Sequence, residues 1–399
     1  MESAASIGRP FATIAHPSRR AERSPWLRGA AWDAFWMHSA LWLAPVALWL
    51  AAGHADPARS PLDLLYFGLT ALFWIGHRFC STYLAYFTEA YRPLLRAQPV
   101  RFIVLPLLIA AGCFAIFLPA DDALPWPRHE RLVGLAVVDY AFVTYHFAAQ
   151  HFGALSIYRA RAGRSACGRT RRMDRAFALV AGGVLVLVAD VLAGAVAYPS
   201  EWVDRRYVPE LLASTADRIR LGATVVLALT TAAMLLVELT SARRSLPRVL
   251  YVVGLALMVG IALQPRALFV FLVIWTSQHW ILAVGLTSQV ARGEPAPARG
   301  LLRTASHCLT VRPWALVVVL VAVSVLLLPV FEVEAVADGN AYYGDRIFGA
   351  LATALRTSTI VPALVALGFA TGFIHYLLDR SVYRFSNADV RAAASGLLR

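Results

Sequence analysis

Ten stretches of this chain are apolar for about the length that a bilayer-crossing helix needs, roughly 20 residues. They cover residues 32–52, 62–88, 101–118, 131–158, 176–197, 219–240, 247–264, 267–291, 314–334 and 356–380. With 59% of its 399 residues hydrophobic, 15% charged and a mean hydropathy of +0.61, a soluble chain could not hide so much apolar surface. The fold class expected is all-α, a polytopic integral membrane bundle of about ten transmembrane helices. Pro45, Pro106, Pro329 and Pro362 fall inside spans, where neighbouring helices can satisfy the carbonyls that proline frees. The domain division expected is a flexible cytoplasmic tail over 1–30, one transmembrane domain over 31–385, and a cytoplasmic tail over 386–399. The first tail is polar and arginine-rich without an apolar core, unlike a cleavable signal peptide.

The net charge of +13 comes almost wholly from arginine. Nucleic acid is not the partner it implies, because the arginines cluster in short loops between apolar runs. Arg19, Arg20 and Arg23 precede the first span, Arg92 and Arg96 follow the second, and Arg159, Arg164 and Arg171 follow the fourth. Arg243, Arg244 and Arg248 follow the sixth, Arg299 and Arg303 the eighth, and Arg380 and Arg384 the tenth. The alternate loops are mixed or acidic, with Asp56, Asp121, Glu201 and Glu332 among their residues. Both termini are therefore expected on the cytoplasmic side of a bacterial-type inner membrane. The longest outer loop, 198–218, is expected to hold a short interfacial helix with Trp202 and Tyr207 at headgroup level. Cys80, Cys113, Cys167 and Cys308 form no CxxC pair, so neither a zinc knuckle nor a disulfide framework is indicated.

Against this background the stretch 139–159, DYAFVTYHFAAQHFGALSIYR, is unusual. It carries Asp139, His146, Gln150 and His151 inside an apolar run, and ionisable groups at membrane depth usually face a protein interior and mark a site. His77, His279 and His375 sit in three other spans that run in the same direction. At 1.5 Å per residue all four helices bring a histidine roughly 18–24 Å down a core about 30 Å thick. His151 lies about 7 Å deeper, and His38 of the first span falls in the same inner half. Of the ten histidines, only His16, His54, His129 and His307 are assigned to tails or loops. The pattern suggests His77, His146, His151, His279 and His375 as metal ligands, since neutral imidazole is the commonest ligand for a transition metal. Three or four imidazoles with an open position suit non-haem Fe(II) with O2, or zinc hydrolysis.

The supporting groups expected are Asp379, Gln150, Asp139 and His38. Asp379 follows His375 by one turn and can either orient its imidazole or pair with Arg380 or Arg384. Gln150 and Asp139 share a face with His146, though Asp139 is two turns away. His146 and His151 are about 140° apart around their helix. Unless that helix is distorted, one is a ligand and the other supports it. Glu238 and Glu89, near cytoplasmic ends, are expected to snorkel or to pair with arginines, and Asp190 to bond a neighbouring helix. Aromatic residues such as Trp36, Tyr145, Phe147 and Trp280 surround the histidine layer and would suit a flat or polyene ligand.

The order of four histidine motifs resembles the Brp/Blh family of membrane-embedded β-carotene cleavage dioxygenases. The pieces are IGHRFCSTYL with His77, QHFGALSIY with His151, WTSQHWILAVG with His279, and GFIHYLLDRSVYRF with His375 and Asp379. The third piece has one histidine, and the position one turn later is Ala283. The resemblance implies ferrous iron and an O2-dependent reaction on an apolar substrate drawn from the lipid. Three other readings remain open on the residues. A di-iron lipid desaturase or hydroxylase would need paired HxxxH or HxxHH boxes, and the closest pair here is His146 and His151. A proton-coupled transporter would use buried His and Asp as relays, and a haem protein would use two facing histidines.

Overall fold

The computed structural model of the chain describes residues 24–52, 76–120, 122–164, 168–189, 192, 209–264, 268–293, 300–326 and 359–398. Among them every regular element is helical. Among the described residues, four helices are long and apolar enough to cross a bilayer: Val100–Phe117, Glu130–Arg161, Ser214–Thr240 and Val361–Val382. A fifth crossing results if Leu301–Thr310 and Pro313–Val325, bent by 113° to one another, are taken together. Their outward faces carry the residues that lipid would cover, including Leu107, Val137, Leu221 and Leu229, each about two-thirds exposed. Parts of the expected spans 62–88, 176–197, 267–291, 314–334 and 356–380 lie outside the described residues, as do Asp190, Trp202, Tyr207 and Cys167.

The first expected span is two helices, α1 (Ala30–Trp36) and α2 (Ser39–Ala52). The break has a local cause. The buried Asp33 carboxylate accepts from the backbone amides of Leu27, Arg28 and Gly29 and from the Tyr158 hydroxyl. At the break itself, the Asp33 carbonyl accepts from the backbone N–H of both Met37 and His38. The His38 ring sits between this carbonyl and that of Pro247, with contacts of 2.9 and 2.8 Å.

Next come α3 (residues 76–87), α4 (Arg92–Ala97) and α5 (Leu105–Phe117), the last entered through a wide π-helical turn at Val100–Val104. Helix α6 (Arg128–Arg161) is continuous. Its 34 residues span about 51 Å at 1.5 Å each, more than a bilayer core requires. It stops at Gly163, whose φ of +64° lies in the left-handed region that a residue with a Cβ rarely adopts. Helix α7 (Gly168–Leu179) runs into a second π-helical turn, Val180–Val184. There Gly182 lets α7 close on α6: a Cβ at that position would stand 2.5 Å from Cδ2 of His151.

Helix α8 (Pro209–Thr240) begins within the expected outer loop, so residues 209–218 continue a crossing helix. It is followed by α9 (Leu246–Ala262) and α10 (Leu268–Arg292). An element not anticipated, α11 (Leu301–Thr310), places His307 on a helix rather than in a loop and leads into α12 (Pro313–Leu326). Helix α13 (Val361–Val382) packs most closely on α5 and also on α6. Beyond residue 385, α14 (Ala388–Ala393) leads into α15 (Ser395–Leu398), which packs on α10 and α6; Val390, Ala394 and Leu397 are buried.

Arg248 corrects a reading of charge. Its sequence position groups it with the orienting loop arginines, but it lies in α9 and is fully buried. Its guanidinium contacts the carboxylates of both Asp174 and Glu238 and donates to the Leu155 carbonyl at 2.9 Å. Arg159 shares Asp174, and Arg164 meets Glu238 at 2.8 Å. One ionic cluster thus ties α6, α7, α8 and α9 together.

Candidate metal centre

Four helices each bring one imidazole to a common buried point. His77 comes from α3, His146 from α6, His279 from α10 and His375 from α13, and all four are at most 6% exposed. Ring centroids lie 4.7 Å apart for His77 and His279, and 4.8 Å for His77 and His375, His146 and His279, and His146 and His375. Donor atoms of His77, His279 and His375 fall within 4.8 Å of one another, as do those of His146, His375 and Asp379. Two overlapping triads therefore share His375.

The hydrogen bonds around the rings fix which nitrogens carry lone pairs. His279 Nδ1 lies 2.6 Å from Gln150 Oε1, an acceptor, so Nδ1 holds the proton and Nε2 is bare. The Gln150 amide nitrogen donates to the His279 carbonyl at 3.4 Å, which agrees with this orientation of the amide. His375 Nδ1 lies 3.2 Å from Ser81 Oγ and 3.6 Å from Asp379 Oδ1. The carboxylate beside Nδ1 favours a proton there, which His375 donates to Ser81 Oγ. Nε2 of His375 is then left bare, and it is buried with no hydrogen-bond partner among the described residues. A buried nitrogen lone pair without a donor is a poor feature in a core and a good one in a ligand.

His146 Nε2 stands 3.1 Å from His279 Nε2 and 3.7 Å from Asp379 Oδ2. Two imidazole nitrogens about 2.0–2.1 Å from one ion, at right or tetrahedral angles, sit about 2.8–3.4 Å apart. The residues thus fit a transition metal in spacing, in tautomer and in donor type. Phe147 closes one side, its ring edge-on to His279 at 4.5 Å, and Tyr376 lies 5.0 Å from the His146 ring.

The remaining expected residues are placed elsewhere. His151 is buried, but its Nδ1 meets the Tyr251 hydroxyl at 2.8 Å, on the α9 side of α6. Because α6 is a regular helix at this point, His146 and His151 cannot face the same ion, and it is His146 that joins the cluster. His38 has both ring nitrogens against backbone carbonyls, and so supports the α1–α2 break. Asp139 sits beside Arg78: an added Cβ at Gly372 would lie 3.8 Å from the Asp139 carboxylate and from the Arg78 guanidinium carbon. Arg78 itself donates to the Gly368 carbonyl and the Thr371 hydroxyl, each at 3.1 Å. Ser81 was missed in the sequence. Its signal is the spacing of one helical turn from His77, which puts both on one face. Tyr251 carried no such signal.

Comparison with family models, with curated proteins and with solved structures finds no match to this chain.

Proposed function

We propose that this protein is an integral membrane non-haem iron oxygenase acting with O2 on an apolar, lipid-soluble substrate. The single observation that carries the reading is the convergence of His77, His146, His279 and His375, with Asp379, at one buried point. When bound, ferrous iron supplies activation of O2 toward carbon centres that protein side chains alone cannot oxidise. The chain's own residues supply the rest. The four imidazoles hold the ion, Gln150 and Ser81 set ring orientation and basicity, and Asp379 adds the negative charge that favours a cation. Phe147 and Tyr376 pack against the His279 and His146 rings and give the site apolar walls.

In this reading the chain crosses a bacterial-type inner membrane about ten times with both termini in the cytoplasm, as its loop charges suggest. Carotenoid cleavage is the specific form implied by the resemblance to the Brp/Blh family; the convergence of His77, His279 and His375 supports a metal there, whatever the substrate. His151, the histidine of the second motif, bonds Tyr251 instead, and His146 takes its place. The sharing of His375 between two triads favours a second reading, a dinuclear iron site of the lipid desaturase or hydroxylase kind. Iron per chain, measured on purified protein with O2 uptake in the presence of candidate lipids, separates one ion from two. A protein free of transition metal would remove both readings.

A further inference from the structure

A cleft of about 1860 Å³ opens beside the candidate metal centre, between α5, α6 and α13. His146, Gln150 and Asp379 face into it, so the cleft reaches the ligand set. Its lining has two unlike halves. One is apolar, with Leu108, Ile109, Cys113, Leu135, Val138 and Phe142. Leu108, Val138 and Phe142 are also exposed on the outer faces of their helices, so this half opens sideways toward lipid.

The other half is cationic. Arg101, Arg171, Arg175, Arg380, Arg384 and Arg391 line it. None of these six forms a salt bridge among the described residues, whereas Arg159 beside them is neutralised by Asp174. Their recorded bonds go to neutral groups: Arg101 to the Ser381 hydroxyl at 2.7 Å, Arg384 to the Ser386 hydroxyl at 3.3 Å, and Arg391 to the Phe385 carbonyl at 2.7 Å. Arg380 lies over the Tyr145 ring at 5.3 Å. Arg384 and Arg380 are each close enough to Arg101 to repel it. Membrane topology places arginines in loops, but it does not gather six of them around a cavity where, among the described residues, the one lining carboxylate is Asp379 of the metal-ligand set.

We infer that the cleft binds an anionic amphiphile, a long apolar chain ending in a carboxylate or phosphate. The head sits among Arg101, Arg380 and Arg384, where guanidinium forks match such oxygens. Arg380 follows His375 by about 7.5 Å along α13, with Arg384 just past its end, and Leu135 lies about 16 Å from His146 along α6, at 1.5 Å per residue. The chain therefore passes His146 and Asp379 part-way along its length and continues into the apolar half. This names a substrate class for the proposed oxygenase. It rests on that reading for the fate of the ligand, while binding is measured apart from the metal.

The test is binding of radiolabelled hexadecanoate to the full-length protein in neutral detergent, competed by hexadecyl phosphate, hexadecanol and inorganic phosphate. Hexadecyl phosphate should displace the label, and hexadecanol should do so about tenfold or more weakly. The Arg101→Gln/Arg384→Gln variant should lose the preference for the charged head while keeping the metal content of wild type. The Arg101→Lys/Arg384→Lys variant should recover part of it. Equal competition by hexadecanol, or an unchanged preference in the glutamine variant, would overturn the inference. So would displacement by inorganic phosphate alone as effective as by hexadecyl phosphate, which would mark a site for a free anion. If the protein proves metal-free yet prefers the charged head, this inference stands and the oxygenase reading falls. In His279→Ala, loss of metal with retained binding supports both.

Discussion

Nε2 of His146 and Nε2 of His279 face each other at 3.1 Å, from two helices 133 residues apart in the chain. Since Gln150 fixes the proton of His279 on Nδ1, the facing nitrogen of His279 can only accept. Without an ion, His146 must donate to it; with one, both lone pairs turn to the same cation. Gln150 therefore decides whether the pair is available as a ligand set. Replacing it with leucine should weaken metal affinity about 10–100-fold without unfolding the protein. Metal retention during dialysis against graded chelator measures this, and unchanged retention would show that the amide has no such role.

His146 and His151 make opposite predictions although five residues separate them. His146→Ala should remove metal. His151→Gln and Tyr251→Phe should leave metal content near wild type, because the Tyr251 hydroxyl occupies the ring nitrogen of His151. Loss of metal in the His151 variant to the same degree as in His146→Ala would place His151 in the ligand set after all.

Arg248 should matter more for stability than any arginine in the loops. Its removal leaves Asp174 and Glu238 buried with fewer partners, and breaking a buried ionic pair in this way costs about 3–5 kcal/mol. Arg248→Met should lower the thermal midpoint in detergent steeply. Adding Asp174→Asn and Glu238→Gln should lower it further, since Arg159 and Arg164 then lose their carboxylates. A triple variant as stable as wild type would argue against this account of the cluster.

Gly182→Ala should press a methyl into the His151 ring, at a cost of about 1–3 kcal/mol. The neighbouring Gly183→Ala meets Ala148 and the Thr144 carbonyl at 3.2 Å, a closeness that a small shift relieves, and should be the milder change. Thermal unfolding of the two variants side by side ranks them, and the reverse order would contradict the tight α6–α7 approach.

The sequence made the histidine layer visible because depth in a membrane helix follows from counting residues. His77, His146, His279 and His375 could be placed at one level before any contact was known. Direction around the helix is harder to count, which is why His146 and His151 could be separated in angle but not assigned. Long-range pairing was less legible still. Spacing puts Gln150 one turn from His146, yet its bond goes to His279 on another helix. Arg248 looked like a topological charge because composition does not reveal that Asp174 and Glu238 converge on it. The break at His38 depends on the carboxylate and carbonyl of Asp33, whose role appears only once α1 is folded.

The most direct test of the metal centre is elemental analysis of the purified protein and of its His375→Ala variant, since His375 belongs to both ligand triads. The account predicts a stoichiometric transition metal, with iron foremost, in wild type and its loss in the variant while the helical content is kept. A wild-type protein without bound metal, or a variant that retains the full complement, would contradict it.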